Sequence, residues 1–159
     1  LEESRKALTL AEKLQTVAPE RKENRTMQTL SRTITAVNLA ETGDYENALD
    51  NSLQVFRVFS KDYENEPNNP LRRYEMFAVN FRLGKTLARM GKTGEGLQKL
   101  NEARRFIGNL AEESPQDKGY QRNLSYTLYT TAEILLDAQN YPEALSNLQK
   151  ALEISEKIY

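Results

Sequence analysis

The chain has 159 residues, 38% hydrophobic and 28% charged, with 7 glycines and 5 prolines, which is enough apolar material for one globular or solenoid unit and argues against low complexity or disorder. Its 22 lysines and arginines nearly balance 23 acidic residues, so net charge creates no field that would hold a nucleic-acid backbone or an anionic membrane. Cysteine and histidine are both absent, which removes thiolate chemistry, disulfides, imidazole bases and the usual zinc ligands together.

In chain order, Ala7, Leu10, Ala11, Leu14 and Val17 recur at helical spacing and Ala18-Pro19 ends the pattern, so residues 1–18 read as one unpaired helix. A helix is predicted next from about Asn24 to Thr42, closed by Gly43, a residue type that helix C-termini favour. Asp44 then caps a helix running from about Tyr45 through Leu49, Leu53, Phe56 and Phe59 towards Tyr63. Asn69-Pro70 supplies an N-cap and a proline at the first helical position for a helix reaching Met90, where Gly91 closes it. After Lys92-Thr93-Gly94 the partner helix carries Leu97, Leu100, Ala103, Phe106, Ile107 and Leu110. Ser114-Pro115-Gln116-Asp117 turns into a helix from about Lys118 to Ala138, and Asn140 with Glu143 forms a capping box for the last helix. Seven helices result, one unpaired and then three antiparallel pairs. No alternation of apolar and polar residues supports a strand.

These elements repeat. The phrases G-D-Y-E-N-A-L, G-K-T-G-E-G-L and Q-N-Y-P-E-A-L start 48 positions apart, at Gly43, Gly91 and Gln139, and Pro19, Pro67 and Pro115 keep the same 48-residue period. Two independent sets of marks in phase are the signature of a solenoid, in which each unit buries its apolar face against the next. The units are read as residues 1–18, the second helix of a truncated repeat, then 24–66, 69–114 and 117–159.

Leu83-Gly84 with Leu87, then Gly96 with Leu100 and Ala103, followed 48 residues later by Thr131-Ala132 with Leu135, then Ala144 with Leu148 and Ala151, and with Leu128 ahead of that second set, resemble tetratricopeptide repeats. Small residues at 84, 96, 132 and 144 fit a place where two helix backbones approach closely. The family repeat has about 34 residues, so a 48-residue period lengthens the helices, by about two turns in the second helix of each pair. Long-period arrays of this kind resemble those in bacterial multidomain signalling proteins. The first unit departs from the pattern, with Arg32, Thr35 and Ser52 where apolar residues belong. The resemblance implies a right-handed all-α superhelix of αα-hairpins.

Chemical motifs are weak. Gly91-Lys92-Thr93 lacks both the glycine that a phosphate loop needs five residues earlier, where Thr86 stands, and a preceding strand. Glu2-Glu3 and Glu112-Glu113 read as solvated helix ends, and Asn24-Arg25-Thr26 and Asn123-Leu124-Ser125 as chance glycosylation sequons. No catalytic, cofactor-binding or metal-binding residue is assigned, and no enzyme activity is expected.

The first helix of each later pair has two opposed stripes. In the third unit Leu124, Leu128, Ala132 and Leu135 make one, while Arg122, Tyr126, Tyr129, Glu133 and Leu136 make the other, displaced by roughly 200° at 3.6 residues per turn. Tyr74, Ala78, Phe81, Lys85 and Arg89 are the corresponding outer row of the second unit, and Leu30, Thr33 and Val37 that of the first. In tetratricopeptide proteins this face lines a concave groove for extended peptides or helices. The resemblance therefore points to Tyr74, Phe81, Lys85, Arg89, Tyr126, Tyr129 and Glu133 as a peptide groove in a protein–protein interaction scaffold, with the basic pair gripping an acidic or C-terminal segment. A competing reading is that the rings seal neighbouring repeats and the charges are merely solvated. A rival function is a regulatory sensor that binds a small molecule or signalling peptide and controls an attached catalytic domain.

The expected partner is a protein or peptide, with no cofactor and no nucleic acid. No apolar run approaches the roughly 18 residues of a membrane span, and no signal peptide precedes the first helix, so membrane insertion is not expected and the cytoplasm is the expected compartment. The chain begins at Leu1 without methionine and ends at Tyr159 inside a helical pattern, as a fragment would. Self-association through the truncated ends is expected, because Leu1 to Val17 lacks a first-helix partner and Leu148, Leu152 and Ile158 lack a following unit.

Overall fold

The computed structural model describes residues 1–18 and 21–158, with Lys22 described by its backbone alone; Pro19, the first of the periodic prolines, lies outside the described residues, as do Glu20 and Tyr159. Among the described residues there are seven helices and no strand: α1 (Glu2–Val17), α2 (Lys22–Glu41), α3 (Tyr45–Asn65), α4 (Pro70–Arg89), α5 (Thr93–Glu113), α6 (Lys118–Asp137) and α7 (Tyr141–Ile158). None is long and apolar enough to cross a membrane.

Two helix starts differ from the sequence expectation. Helix α2 begins at Lys22 rather than Asn24 because the Asn24 amide reaches back instead of capping, donating to the carbonyls of Leu14 and Ala18 at 3.0 Å each. It thereby gives these carbonyls at the end of α1 a second donor, beside the N–H groups of Ala18 and Arg21. Helix α5 starts at Thr93, so Gly94 lies in its first turn and only Gly91 serves the turn between helices. The Gly91-Lys92-Thr93 segment accordingly follows a helix, without the strand a phosphate loop requires.

The period is present in the backbone. Gly43, Gly91 and Gln139 all have positive φ, 83°, 78° and 61°, and the residue after each donates its N–H back to Leu39, Leu87 or Leu135. Each also donates its own N–H to the carbonyl three residues earlier, so the three helices end in one left-handed motif. A second turn recurs where the N–H groups of Arg21, Asn69 and Asp117 meet the carbonyls of Ala18, Glu66 and Ser114. The side chains of Asn69 and Asp117 cap the helices that follow, whereas Arg21 makes no such bond. Asn140 and Glu143 meet through their side chains, with the Asn140 amide 2.9 Å from the Glu143 carboxylate.

The chain divides into two compact units, Leu1–Lys61 and Asp62–Tyr159, with the division falling inside α3. In the first unit α1 packs antiparallel on α2, and polar groups carry much of the contact. The Thr35 hydroxyl donates to the Ser4 carbonyl at 3.2 Å, Asn38 donates to the Ser4 hydroxyl, and Arg32 pairs with Glu12 while also reaching the Asn51 side chain. Thr35 and Ser52 are buried and Arg32 is half-buried, so the period assigns these residues to the interior correctly despite their polarity.

In the second unit apolar contact predominates between α4 and α5, while Ser125 also ties α6 to α7 through the Ala151 carbonyl and the Ser155 hydroxyl. Leu83, Leu100, Ala103, Ile107 and Leu110 are buried between α4, α5 and α6, which pack in sequence, and α7 lies antiparallel on α6. Glycines set the closest approach: a Cβ on Gly84 would stand 2.9 Å from the Gly96 carbonyl oxygen, and one on Gly96 would stand 2.8 Å from that of Gly84. Beyond it, Ala132, Leu135 and Ala144 form a cluster with Leu97 and Leu148 packed against it. The small residues at 84, 96, 132 and 144 thus lie at helix contacts. Tyr63, in the last turn of α3, meets the Phe106 ring edge-on at 5.2 Å and 89°.

Candidate functional site

The opposed stripes of α6 stand as the spacing requires. Leu128, Ala132 and Leu135 are buried and Leu124 half-buried, while Arg122, Tyr126, Tyr129, Glu133 and Leu136 are exposed. With 3.6 residues per turn, packing one stripe on its neighbours obliges the other to face outward.

On α4 the outer row becomes part of an aromatic ladder that crosses to α6. Tyr74 stacks with Phe77 at 5.4 Å and with Tyr120 at 6.1 Å; Phe77 meets Phe81 at 6.0 Å, and Phe81 meets Tyr126 at 5.5 Å, all with tilted rings. Tilted and offset contacts of this kind suit the ring quadrupoles and add about 0.5–1.5 kcal/mol each beyond area burial. The Asn123 amide donates to the Tyr74 hydroxyl at 3.3 Å, giving that phenol a polar tether across the same two helices.

Lys85 ends the ladder. Its Nζ lies 5.7 Å from the Phe81 ring centre and 5.9 Å from that of Tyr126, so one cation serves two ring faces. The residue is half-buried, not freely exposed as the sequence alone suggests, because its stem lies along the rings. Arg89, one turn on, is exposed at the end of α4. Glu133 hydrogen-bonds the Tyr129 phenol and, with its charge, holds that group above its ordinary titration range, since a phenolate beside a carboxylate is disfavoured.

Of the seven residues expected to line a groove, Tyr74, Phe81, Lys85 and Tyr126 belong to one connected set, and Tyr129 and Glu133 form a second pair on the same helix as Tyr126. No such contact ties Arg89 to them. Phe77 and Tyr120 were missed. Phe77 is buried and joins Tyr74 to Phe81, so the ladder does seal α4 to α6, while Tyr126, Tyr129 and Tyr74 remain 49%, 43% and 36% exposed. Packing and an accessible ring surface therefore coexist in one row.

Other candidates resolve simply. Asn24 is buried with its amide committed to two carbonyls, which leaves no room for a glycan. Glu113 of the acidic pair forms a two-pronged bridge with Arg73, 2.7 Å at Nη2, and the guanidinium holds its carboxyl below the usual range. Among the described residues no group of three or more His, Cys, Asp or Glu is placed to hold a metal ion. At the chain ends Leu10, Val17 and Leu152 are exposed, but Ile158 is buried, its carbonyl accepting from Lys118 at 2.8 Å.

Compared with protein-family profiles, curated proteins and solved structures, the chain matches none.

Proposed function

We propose that the chain is a non-enzymatic protein–protein interaction module, a tetratricopeptide-like array of long αα-hairpins, and that the outer row of α4 and α6 takes an acidic peptide segment. The observation that carries this reading is the Lys85 ammonium held against Phe81 and Tyr126, with Tyr126 and Tyr129 half open to solvent. A cation backed by rings has a fixed position and a partly dehydrated surface, so a carboxylate meeting it loses less conformational freedom than at a solvated lysine. The neighbouring tyrosines supply rigid amphipathic area with few rotatable bonds, the composition that interface hot spots favour. Arg89 extends the basic end of the row, and Glu133 bounds it on α6. The bacterial signalling context belongs to the same proposal and rests on the repeat resemblance.

The test is to pan a displayed random-peptide library against the chain and titrate the enriched peptides. Acidic sequences should be enriched. Lys85→Glu with Arg89→Glu should weaken binding by about tenfold or more and flatten its salt dependence, because exposed charge attraction is screened beyond about 10 Å at 0.1 M salt. Tyr129→Ala should weaken binding with little change in salt dependence. Unchanged affinity in the double reversal would remove the basic pair from the site, and enrichment without acidic character would overturn the proposed partner class.

A further inference from the structure

A hollow of about 590 Å³ lies between α5 and α7, floored by Leu124 and Leu128 of α6. Those leucines belong to the inner stripe of α6, so the hollow is on the side of that helix away from Tyr126 and Tyr129. Three helices of this chain bound it, and it shares no residue with the α4–α6 row or with Leu145, Leu148 and Leu152 of α7.

The repeat shows why there is room. One period earlier Tyr63 of α3 and Phe106 of α5 meet ring to edge, whereas the residues 48 positions on are Ala111 and Ile154, so two rings give way to a methyl and a branched alkyl group. Phe56 likewise gives way to Arg104. Gly108 in the α5 wall widens the space further. Unlike Gly84 and Gly96, it carries no close helix contact, since an added Cβ would meet nothing within 4 Å. Packing therefore does not require glycine there, in mid-helix, where only proline is a poorer choice.

The rim is charged, and its charges are ordered. On α5, Arg104 and Arg105 precede Glu112 by about two turns, and on α7 Lys150 precedes Glu153. Helices α5 and α7 run the same way, because the Ala111 and Ile158 carbonyls near their C-terminal ends accept from Gln121 and Lys118 in the first turn of α6. Arg104 and Lys150, each about two turns from those bonds, thus stand at corresponding levels of the two walls. Arg105 lays its guanidinium 4.9 Å from the Phe106 ring centre. Among the described residues none of these three cations forms an ion pair with a carboxylate of this chain.

We propose that this hollow binds a small aromatic monocarboxylate, with its ring over Leu124, Leu128 and Ile154 and its carboxylate between Arg104 and Lys150. The ring takes the space that aromatic side chains fill one repeat earlier, and the volume suits small-ligand sites, which span about 300–1,000 Å³. A guanidinium without an internal partner is the natural receptor for a carboxylate, which it meets through two parallel hydrogen bonds. A single negative charge is called for because Glu112 and Glu153 also line the hollow, leaving three cations against two carboxylates, and a second negative charge would be repelled. Lys85 and Arg89 take no part, so the inference stands apart from the acidic-peptide row.

The probes are naphthylacetate, its neutral amide and naphthyl phosphate, each titrated into the full chain and followed by naphthalene fluorescence. Saturable binding of naphthylacetate is expected, about tenfold or more weaker for the amide and no tighter for the doubly charged phosphate. Gly108→Leu should abolish binding while holding or raising the thermal midpoint, because leucine fills the hollow and is the better helix former. Arg104→Gln with Lys150→Gln should weaken binding about tenfold or more and leave the helical circular dichroism unchanged. Lys85→Glu with Arg89→Glu should leave it untouched while impairing the acidic-peptide row. Absence of saturable binding, equal affinity for the amide, tighter binding of the phosphate, or indifference to the Arg104 and Lys150 changes would each overturn the inference. So would binding of a peptide ending in phenylalanine without binding of the free acid, because a protein C-terminus would then be the occupant.

Discussion

Where α4 meets α5, Gly84 and Gly96 bring two backbones to within the width of a missing methyl group, and buried leucines fill the flanks. One period earlier the same positions hold Ala36 and Ala48, both buried, in a unit that also buries Asn24, Thr29, Thr35 and Ser52. The α4–α5 contact joins its helices largely through shape, although the unit around it also buries Asn80, Thr86, Ser125, Thr127, Thr130, Thr131 and Asn147. The α1–α2 contact relies more on hydrogen bonds and the Arg32–Glu12 pair, while Leu30 and Ile34 of α2 remain exposed. A repeat period thus dictates where a contact falls and leaves open which forces make it. Burial without a polar atom in need of a partner contributes fully, whereas a buried hydrogen bond contributes only about 0.5–1.5 kcal/mol after losing water.

The largest expected effect comes from erasing the glycine approach. Gly84→Ala puts a Cβ 2.7 Å from the Leu100 side chain and 2.9 Å from a backbone oxygen that cannot yield without moving α5. Overpacking should cost about 1–3 kcal/mol, more than the roughly 1 kcal/mol that alanine gains over glycine in a helix. Urea denaturation should show a net loss of stability; an unchanged or raised midpoint would mean that the close approach is not needed.

Next is the missing cap. Arg21→Asp places at α2 the residue type that Asp117 provides at α6, where its carboxylate accepts from the N–H groups of Gly119 and Tyr120. Stabilisation by about 1 kcal/mol is expected in thermal or chemical unfolding. In the third turn the first unit is the better made: it ends α2 with Gly43, whereas Gln139 holds φ at 61° with a side chain attached. Gln139→Gly should therefore stabilise by up to about 1 kcal/mol, and Gly43→Gln should lose a similar amount. A fall in midpoint for Gln139→Gly would sink that account.

The smallest effect is electrostatic. The Arg73–Glu113 bridge depresses the folded-state titration of Glu113, so its contribution is present above the ordinary carboxylate range and is lost as pH falls through the depressed value. Glu113→Gln should lower the unfolding midpoint slightly at pH 7 and match the unmodified chain at strongly acid pH. A difference that persists there would show that packing, rather than charge, is at work.

Residues that act within one helix or one turn were legible. Gly43 and Gly91 announce their turns, Asn69 acts through its nearest neighbours, and the exposure of Tyr126, Tyr129 and Glu133 follows from period alone. What escaped depends on how helices meet. Phe77 lies beside the outer row by spacing and is buried with its ring between Tyr74 and Phe81; Tyr120 sits in the first turn of α6, before any stripe is established. Asn24 resembles a cap in one dimension and serves a different helix in three. The partly buried state of Lys85 likewise requires Tyr126, 41 residues away in the chain.

The turns that follow α3 and α5 hold a consequence for how such a chain can change length. Each is closed by a bond between residues three apart, from Asn69 to Glu66 and from Asp117 to Ser114. Excising residues 67–114 would splice Glu66 to Pro115 and give Glu-Pro-Gln-Asp, a turn with the same partners in the same order and Asp117 still capping the next helix. Recombination between copies at this point would therefore remove or insert a whole cassette without stranding a backbone donor, so copy number can drift while every junction keeps its local geometry.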